Sequence, residues 1–320
     1  MTPPIPTTSD SGPSTSARHK LLGYLSLCLI WGSTWLAIRF LVEDIPALEG
    51  AAIRFMAGGF LLLFMALVQR RRWPRDGRVW NAIGVLSITI MAVPYGLLFW
   101  AEQHIASSMT AVLFSAMPLV VSLLTPVMTS HKVPRNAVFA LVIACGGLVA
   151  LFFTTELNTT RPALLGGAAV LIAMVLSGWS VVYAKKRLDE VDPVVSTAMQ
   201  LLLGSAALWW GVWVFEGRRH PHWTPTSLAA LAFLTIFGSC VAFVVYYWLL
   251  KHMQPYQLST ISLVVPLIAV SEGALLGHER IPLMMLAVMA VVLVSVGAVL
   301  RGEALSLRED DLLLLRGRIR

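Results

Sequence analysis

Aromatic side chains recur four residues apart within apolar stretches of the sequence, a spacing that puts each pair on one face of a helix. Such faces can line a cavity for a small amphipathic or cationic solute, or they can pack in the core or form a belt at a membrane surface. The four pairs are Trp31/Trp35, Tyr95/Phe99, Trp179/Tyr183 and Phe243/Tyr247. We predict substrate-binding roles for Trp31, Trp35, Tyr95, Trp179, Tyr183 and Tyr247, with packing the stronger alternative for the pairs that contain Tyr95 and Tyr247.

One carboxylate, Glu272, falls inside a long apolar segment, after Pro266. An ionised carboxylate at the centre of a bilayer costs about 2.5–3.5 kcal/mol on insertion scales, so it generally faces protein or water. Burial favours the neutral acid, and a carboxylate that gains a proton on one side and releases it on the other couples transport to a proton gradient. We predict this role for Glu272; solvation near the membrane surface and a structural bond to a neighbouring helix are the alternatives.

Arg54 is a cation within the second apolar segment. An arginine there must pair or extend its charged end towards the surface. A structural ion pair with Glu43 or Glu49 and contact with an anionic group of a substrate are both open, and Arg54 is included among the substrate-binding candidates. Gln200 is polar but uncharged, and we expect it to hydrogen-bond to another helix.

Two prolines, Pro118 and Pro266, occupy corresponding positions within apolar segments. Each removes one backbone hydrogen bond, and the resulting kink can act as a hinge. In transporters, broken helices of this kind also expose carbonyl groups to a substrate. We predict that both prolines are hinges of an alternating motion.

Motifs for enzyme chemistry are lacking in the sequence. It contains no G-x-x-x-x-G-K phosphate loop, and His278-Glu279 lacks the second histidine of a zinc protease motif. The cysteines Cys28, Cys145 and Cys240 lie in apolar segments without a Cys-x-x-Cys pair, which is typical of buried small hydrophobic residues. We therefore expect no catalytic residue, no metal, no cofactor and no ATP-driven pump.

Composition indicates the elements that carry these residues. The chain of 320 residues is 57% hydrophobic and 13% charged, and its mean hydropathy is +0.76, more apolar than a soluble domain can hide. Apolar runs of about 20 residues, the length that crosses a bilayer, predict ten transmembrane helices and an all-α integral membrane protein. They cover residues 21–42, 46–68, 79–101, 105–129, 135–153, 163–185, 193–215, 226–250, 254–277 and 282–300.

An internal repeat runs through most of the chain, because rare residues recur 148 positions apart. The pairs are Trp31/Trp179, Trp100/Trp248, His104/His252, Pro118/Pro266 and Pro134/Pro282. Each copy holds five predicted helices, and since five is odd, the second copy enters the membrane from the opposite side, as in many secondary transporters. The predicted organisation is a disordered cytoplasmic N-terminus (1–20), a first five-helix repeat (21–153), an outer loop (154–162), a second, inverted five-helix repeat (163–300) and a cytoplasmic tail (301–320).

Basic side chains concentrate in alternate loops of this arrangement. The net charge of +7 comes largely from segments such as 70–78, 185–187 and the C-terminal tail, all on the side of the N-terminus. This positive-inside bias predicts that both termini are cytoplasmic and accounts for the charge without a nucleic-acid partner. Arg218 and Arg219 are an exception, in a predicted outer loop.

Three stretches resemble the EamA family of the drug/metabolite transporter superfamily. They are WGSTWLAIRF at 31–40, Arg54-Phe55 with the small residues that follow, and residues 238–281 with an opening Gly-Ser, a Tyr-x-x-Leu, an internal proline and a closing Gly-x-Glu-Arg. The resemblance extends over 21–300 and implies a ten-helix inner-membrane carrier of small metabolites or drugs. Two departures stand out: Ser130-His131-Lys132 where the family often has Gly-Glu-Arg, and Glu272 where an apolar residue is usual.

We predict a secondary transporter that works by alternating access without ATP. Its expected partners are a small-molecule substrate and the lipid bilayer, and it is expected to be a monomer or a homodimer. A membrane-embedded enzyme and a non-transporting scaffold or sensor are the alternatives.

Overall fold

The computed structural model describes residues 14–105, 107–152, 160–216, 221–277 and 286–300, and every regular element in these ranges is a helix. The helices are α1 (Ser14–Asp44), α2 (Ala47–Val68), α3 (Gly77–Glu102), α4 (Ser107–Phe114), α5 (Met117–Met128), α6 (Arg135–Phe152), α7 (Arg161–Arg187), α8 (Pro193–Glu216), α9 (Pro225–His252), α10 (Pro255–Leu258), α11 (Ile261–Gly277) and α12 (Leu286–Leu300). The predicted all-α class is confirmed for these ranges. The predicted tail, most of the N-terminal segment and most of the loop at 154–162 lie outside the described residues.

Seven helical segments in the described ranges are long and apolar enough to cross a bilayer. They comprise α1, α2, α3, the segment Met109–Met128 that joins most of α4 to α5, α7, α8 and α9. Three shorter apolar helices, Arg135–Leu148, Pro255–Ala269 and Leu286–Leu300, accompany them. The chain is therefore a multi-pass membrane protein by the length and composition of its helices.

The start of α2 is held by a side chain from the other half of the sequence. Pro46 precedes the helix and has no side-chain hydrogen bond to offer its first turn. The carboxylate of Glu216, at the end of α8, accepts instead from the backbone N–H groups of Leu48 at 2.7 Å and Glu49 at 3.0 Å. Because a helix N-terminus carries free N–H groups and a partial positive charge, this carboxylate stabilises α2 and fixes the end of α8 against it.

Close packing between helices depends on glycine at a few positions. A Cβ at Gly59 of α2 would lie 2.7 Å from Cγ of Leu202 in α8, and a Cβ at Gly32 of α1 would lie 2.5 Å from a side-chain carbon of Ile268 in α11. Both distances are shorter than any carbon contact, so only glycine allows these helices to approach as they do. Gly58 also makes a contact within the bundle, since a Cβ there would lie 3.3 Å from Sγ of Cys240 in α9.

Three of the long helices contain a π-helical segment: α8 at Val212–Glu216, and α3 and α9 at places that correspond in the repeat. In α3 this segment is Ser87–Ala92, and in α9 it is Ile236–Val241. The π turn closes its hydrogen bonds on the fifth residue rather than the fourth, and it is found mostly as a single turn at functional sites. The segments of α3 and α9 immediately precede the aromatic part of their helix.

Contacts between helix ends define two ends of the bundle. At one end, Asp44 at the close of α1 accepts a hydrogen bond from the backbone of His222, just before α9. Arg39 near the same end of α1 donates to the carbonyl of Glu102, the last residue of α3. The end of α8 lies here too, through Glu216.

The opposite end gathers the other helix termini. Arg71, after α2, pairs with Asp192, before α8, at 3.2 Å. Lys185, near the end of α7, donates to the carbonyl of Leu250, near the end of α9, at 2.7 Å. Lys186 donates to the carbonyl of Met128, which ends α5. The bonds His222–Asp44 at one end, and Arg71–Asp192 and Lys186–Met128 at the other, join the two halves of the sequence.

The two predicted hinge prolines lie in different local settings. Pro266 is inside α11, as predicted. Pro118 is in the first turn of α5, after a break at Ser115 and Ala116. Backbone N–H groups in the first turn have no acceptor within the helix, so the lack of one at Pro118 costs no helical hydrogen bond. The prediction that Pro118 interrupts the middle of a helix is wrong for that reason, and its role as a hinge stays a prediction based on the break that precedes it.

Candidate functional site

An aromatic cavity lies between helices of both halves of the sequence. Its volume is about 90 Å³, and its walls come from α1, α3, α4 and α5 on one side and α7, α9, α10 and α11 on the other. The lining residues are Trp31, Thr34, Trp35, Ile38, Ile90, Tyr95, Leu98, Ala111, Phe114, Met117, Ser177, Val181, Phe243, Tyr246, Leu258, Ile261, Ser262 and Val265. The wall is predominantly apolar, as ligand pockets generally are.

Rings from α1, α3 and α9 pack against one another in this wall. The indole of Trp31 lies 5.7 Å from the ring of Phe243 and 5.3 Å from that of Tyr246. Tyr95 meets Phe243 at 6.0 Å, edge to face. These separations are within the range in which aromatic pairs attract, so one cluster of rings connects a helix near the start of the chain to α9.

The indole N–H of Trp31, a residue that lines the cavity, is an unpaired donor among the described residues. Its nitrogen is buried. Two of the lining hydroxyls are engaged, since Thr34 donates to the carbonyl of Trp31 at 2.8 Å and Ser262 donates to that of Ser259 at 2.9 Å. Because a buried donor left unpaired costs about 1–3 kcal/mol, the cavity favours a solute that is largely apolar and carries a hydrogen-bond acceptor.

The six aromatic residues predicted to bind substrate separate into two groups. Trp31, Trp35 and Tyr95 line the cavity. Trp179 and Tyr183 stack on each other, with ring centroids 4.8 Å apart, and are absent from the described cavity lining. In α7 the lining residues are Ser177 and Val181, which lie about 200° around the helix from them.

Tyr247 is also absent from the described lining. It is buried, and its hydroxyl donates to Oε1 of Gln200 in α8 at 2.6 Å. The expectation that Gln200 bonds to another helix is therefore confirmed. The roles of Tyr247, Trp179 and Tyr183 in substrate binding stay predictions.

Three rings in the wall were not among the predicted substrate-binding residues: Phe114, Phe243 and Tyr246. Phe243 belongs to one of the four-residue aromatic pairs. Tyr246 is three residues from Phe243, a spacing that also shares a helix face, so a search for three-residue as well as four-residue spacing finds it. Phe114 lies 6.1 Å from Trp35 in the structure. It is a lone aromatic in its segment, and no local pattern distinguishes it from a packing residue.

Arg54 is buried directly behind the cavity wall. Its side chain is 1% exposed, and the guanidinium donates to Oγ of Ser239 at 2.7 Å and to the carbonyl of Gly238 at 2.9 Å. Three rings surround it, with centroids 5.3, 5.3 and 5.9 Å from Cζ, belonging to Phe55, Tyr95 and Phe99. One of the rings, Tyr95, lines the cavity on its other side.

Glu43, one of the two carboxylates considered as an ion-pair partner of Arg54, pairs with Arg39 at 3.2 Å. A pair between Arg54 and Glu49 stays a prediction. The guanidinium is neutralised in part by ring faces and by acceptors of α9. Its Nη1 has no partner among the described residues, so contact with an anionic solute stays a prediction.

Glu272 lies on the opposite side of α1 from the cavity. Ser33 of α1 donates a hydrogen bond to its carboxylate. The two residues meet in a shallow apolar groove whose other walls include Phe40 of α1 and Phe233 of α9. Residues 31, 34, 35 and 38 of α1 face the cavity, whereas 33, 36, 37 and 40 face the groove, so α1 is the partition between the two.

Comparison with known proteins identifies the chain. The EamA-like transporter family model matches residues 20–153 and 164–301. The chain belongs to the EamA-like transporter family. The resemblance seen in the sequence is thereby confirmed. Membership of this family supports the assignment of this EamA-like protein as a membrane transporter.

Similar proteins extend the comparison. The uncharacterized transporter YoaV of Bacillus subtilis (strain 168) is 29% identical over 262 residues, which cover 82% of this EamA-like chain and 89% of YoaV. The uncharacterized inner membrane transporter YedA of Escherichia coli (strain K12) is 27% identical over 278 residues, covering 85% and 89%. A solved crystal structure, 19% identical, matches 91% of this chain and 99% of its own with a TM-score of 0.72, which shows that the fold is shared.

Proposed function

We propose that this EamA-like protein is a secondary carrier that moves a small organic solute through the aromatic cavity by alternating access. The observation that carries the proposal is the cavity itself, because both halves of the sequence build it and rings of α1, α3 and α9 meet in its wall. Binding sites of secondary transporters lie between repeated halves in this way.

We propose ten membrane spans arranged as two inverted five-helix repeats. The helix-end contacts support this, because α1 ends beside the start of α9 while α2 ends beside the start of α8. Local details also recur: His104 Nδ1 lies 2.8 Å from the carbonyl of Trp100, and His252 Nδ1 lies 2.7 Å from that of Trp248. The π-helical turns of α3 and α9 are a further pair of equivalents.

The substrate class follows from the wall chemistry. We propose an apolar or aromatic solute with a hydrogen-bond acceptor that reaches the Trp31 indole N–H. Ligand pockets for drug-sized molecules hold roughly 300–1,000 Å³, and the cavity holds about 90 Å³. A solute of drug size would require helix movement that widens the cavity. The helix that a change at Glu272 would affect is α1, which forms one wall.

Proton coupling is proposed to act through α1 rather than by direct contact with the substrate. When Glu272 is ionised it accepts from Ser33, and when it is protonated this bond loses its ionic character and weakens. Since α1 carries cavity residues on its other face, a change in this bond changes the cavity wall. We also propose that the protein is in the inner membrane, the location named for YedA, with both termini in the cytoplasm.

Flux measurements in proteoliposomes test the proposal. Purified protein is reconstituted, and a panel of apolar and aromatic metabolites, selected by comparing metabolites of a deletion strain with those of an overexpressing strain, is assayed for uptake and counterflow. Trp31→Phe removes the free N–H and is expected to raise the apparent KM of the transported solute at least fivefold. Trp179→Phe makes the same change at the position 148 residues on, outside the described lining, and is expected to leave KM within twofold.

Two outcomes would overturn parts of this proposal. Equal effects of the two tryptophan variants would remove the cavity from substrate binding. Folded, reconstituted protein without flux for any member of the panel would favour a membrane-embedded enzyme or a scaffold. Glu272→Gln tests coupling separately: we expect counterflow to persist while uptake driven by a pH gradient is lost.

A further inference from the structure

A basic cleft lies at the end of the bundle where α2 ends and α8 begins. Its volume is about 680 Å³, and it is formed by the segment 69–76 with Val79, by residues 190–193 and by Lys251 at the end of α9. Five cationic side chains line it: Arg70, Arg71, Arg72, Arg75 and Lys251. We propose that this cleft binds the phosphate headgroup of an anionic phospholipid of the surrounding bilayer.

The carboxylates in the cleft, Asp76, Glu190 and Asp192, neutralise only part of this charge, because there are three of them and five cations. Asp76 accepts from the N–H of Arg78 and caps α3, and Asp192 accepts from the N–H of Val194 and caps α8. Asp192 also forms the ion pair with Arg71. A third carboxylate, Glu190, is exposed. Arg70, Arg72 and Arg75 therefore remain for an external anion, with no carboxylate of the described chain within ion-pair distance.

The backbone at Arg70 is unusual in a way that favours a role for its side chain. Arg70 has φ of 49°, and it follows the C-cap of α2, where the N–H of Arg71 bonds to the carbonyl of Ala66 at 2.9 Å. This is the position at which glycine ordinarily ends a helix. A residue with a Cβ is strained there, so the chain keeps arginine at a position where glycine is more stable.

The surface leading to the cleft fits a lipid rather than a free phosphate. Four large apolar side chains form a stripe along α2 towards the cleft, with exposed fractions of 57, 66, 58 and 65%: Phe60, Phe64, Leu67 and Val68. The stripe ends one residue before Gln69, the first residue of the cleft. An acyl chain on this stripe puts its headgroup phosphate among the arginines, at the depth where basic residues attract anionic lipids.

A rigid loop holds the arginines in place. The Trp80 indole donates to the carbonyl of Pro74 at 3.1 Å, and its ring stacks on that of Trp73, with centroids 6.3 Å apart. Tryptophan of this kind is typical of the boundary between membrane and water. Because residues of α2, α3, α8 and α9 meet at the cleft, a bound lipid stabilises the contact between the two halves.

Lipid-dependent thermal stability in detergent tests the inference. Dioleoylphosphatidylglycerol is titrated into the full-length protein, with dioleoylphosphatidylcholine and inorganic phosphate as comparisons. We expect phosphatidylglycerol to raise the melting temperature and the other two to do so much less. The triple variant R70Q/R72Q/R75Q is expected to weaken the apparent affinity for phosphatidylglycerol about 100-fold. Each arginine near an anionic surface contributes about fivefold to the affinity, and three such factors multiply.

Two further variants separate binding from folding. R18Q/K132Q/R135Q removes three exposed charges from the same predicted membrane side and outside the cleft lining, and it is expected to keep its affinity within threefold. Arg70→Gly relieves the backbone strain, so it is expected to raise the melting temperature without lipid and to lower the affinity for phosphatidylglycerol about fivefold.

Three outcomes would overturn the inference. Equal stabilisation by phosphatidylcholine would exclude recognition of the anionic headgroup, and equal stabilisation by inorganic phosphate would show that the source is soluble. An equal loss of affinity in R18Q/K132Q/R135Q would show that the effect follows total charge and not the cleft. These measurements are independent of the transported solute.

Discussion

Replacing Arg54 by lysine should destabilise the protein more than replacing it by methionine, although lysine is the more conservative change. Arg54→Lys keeps the charge in a site that is 1% exposed, but its compact ammonium cannot reach both Ser239 and Gly238 in the geometry of the guanidinium. Arg54→Met removes the charge and fills the site with an apolar chain of similar length. We expect the lysine variant to be the less stable of the two.

The magnitudes follow from the contacts. Each hydrogen bond from the charged group contributes about 1.5–3 kcal/mol, and the surrounding rings contribute about 0.5–2 kcal/mol. Arg54→Lys still buries a positive charge but loses much of the stabilisation from these hydrogen bonds and rings. It should therefore destabilise the protein by about 3–5 kcal/mol, as does breaking a buried charge pair. Arg54→Met loses the same contacts, but it no longer buries a charge. The free energy of unfolding should therefore change by no more than about 2 kcal/mol.

Unfolding by dodecyl sulfate in mixed micelles, followed by tryptophan fluorescence, measures these differences. Arg135 provides the control, because its side chain is exposed at the start of α6 and forms no ion pair among the described residues. Arg135→Lys and Arg135→Met should each change the free energy of unfolding by about 0.5 kcal/mol or less, as surface substitutions usually do. An Arg54→Lys protein as stable as wild type, or more stable than Arg54→Met, would refute the account of a charge held by specific acceptors and rings.

Three further predictions concern contacts between helices. Gly59→Ala should lower thermal stability markedly, and adding Leu202→Ala should restore part of it, because the new Cβ would meet Cγ of Leu202 at 2.7 Å; additive losses in a double-mutant cycle would contradict this. Tyr247→Phe should destabilise by about 1 kcal/mol in the micelle assay, as it leaves the Gln200 acceptor unpaired, and no loss would show that water replaces the bond. Glu216→Gln should destabilise by about 0.5–2 kcal/mol, since it weakens the cap of α2, and a shift in melting temperature no larger than that of Glu190→Gln would argue against that role.

Local patterns were sufficient to predict the all-α class of the described ranges and part of the cavity. Apolar runs predict helices because each must satisfy its own backbone in lipid, and the spacing of Trp31 and Trp35 places both on the face that the structure turns to the cavity. The same spacing in Trp179 and Tyr183 gives a face that lies elsewhere. Spacing shows which residues share a face, but the rotation of each helix is set by packing with distant neighbours.

Partners across the sequence could not be predicted for the same reason. Arg54 bonds to Ser239 and Ser33 bonds to Glu272, across 185 and 239 residues of the chain. Charge complementarity suggested nearby carboxylates for Arg54, and the structure shows a hydroxyl, a carbonyl and three rings around it. The sequence repeat also suggests equivalent roles for corresponding residues of its two copies. Packing gives them different surroundings: Trp31 lines the cavity, whereas Trp179 is absent from the described lining.

The π-helical turns in α3 and α9 have a consequence for how such proteins diverge. Tyr95 and Phe243 follow these turns by three and two residues, and one extra residue rotates everything beyond it by about 100° relative to an uninterrupted α-helix. The turn is therefore the place where the length of a membrane helix can change without a loop to absorb it. A single-residue insertion or deletion in the turn would rotate the following part of the helix, so that a neighbouring residue replaces the ring that now faces the solute. Helix length, and not only residue identity, is then a source of new specificity.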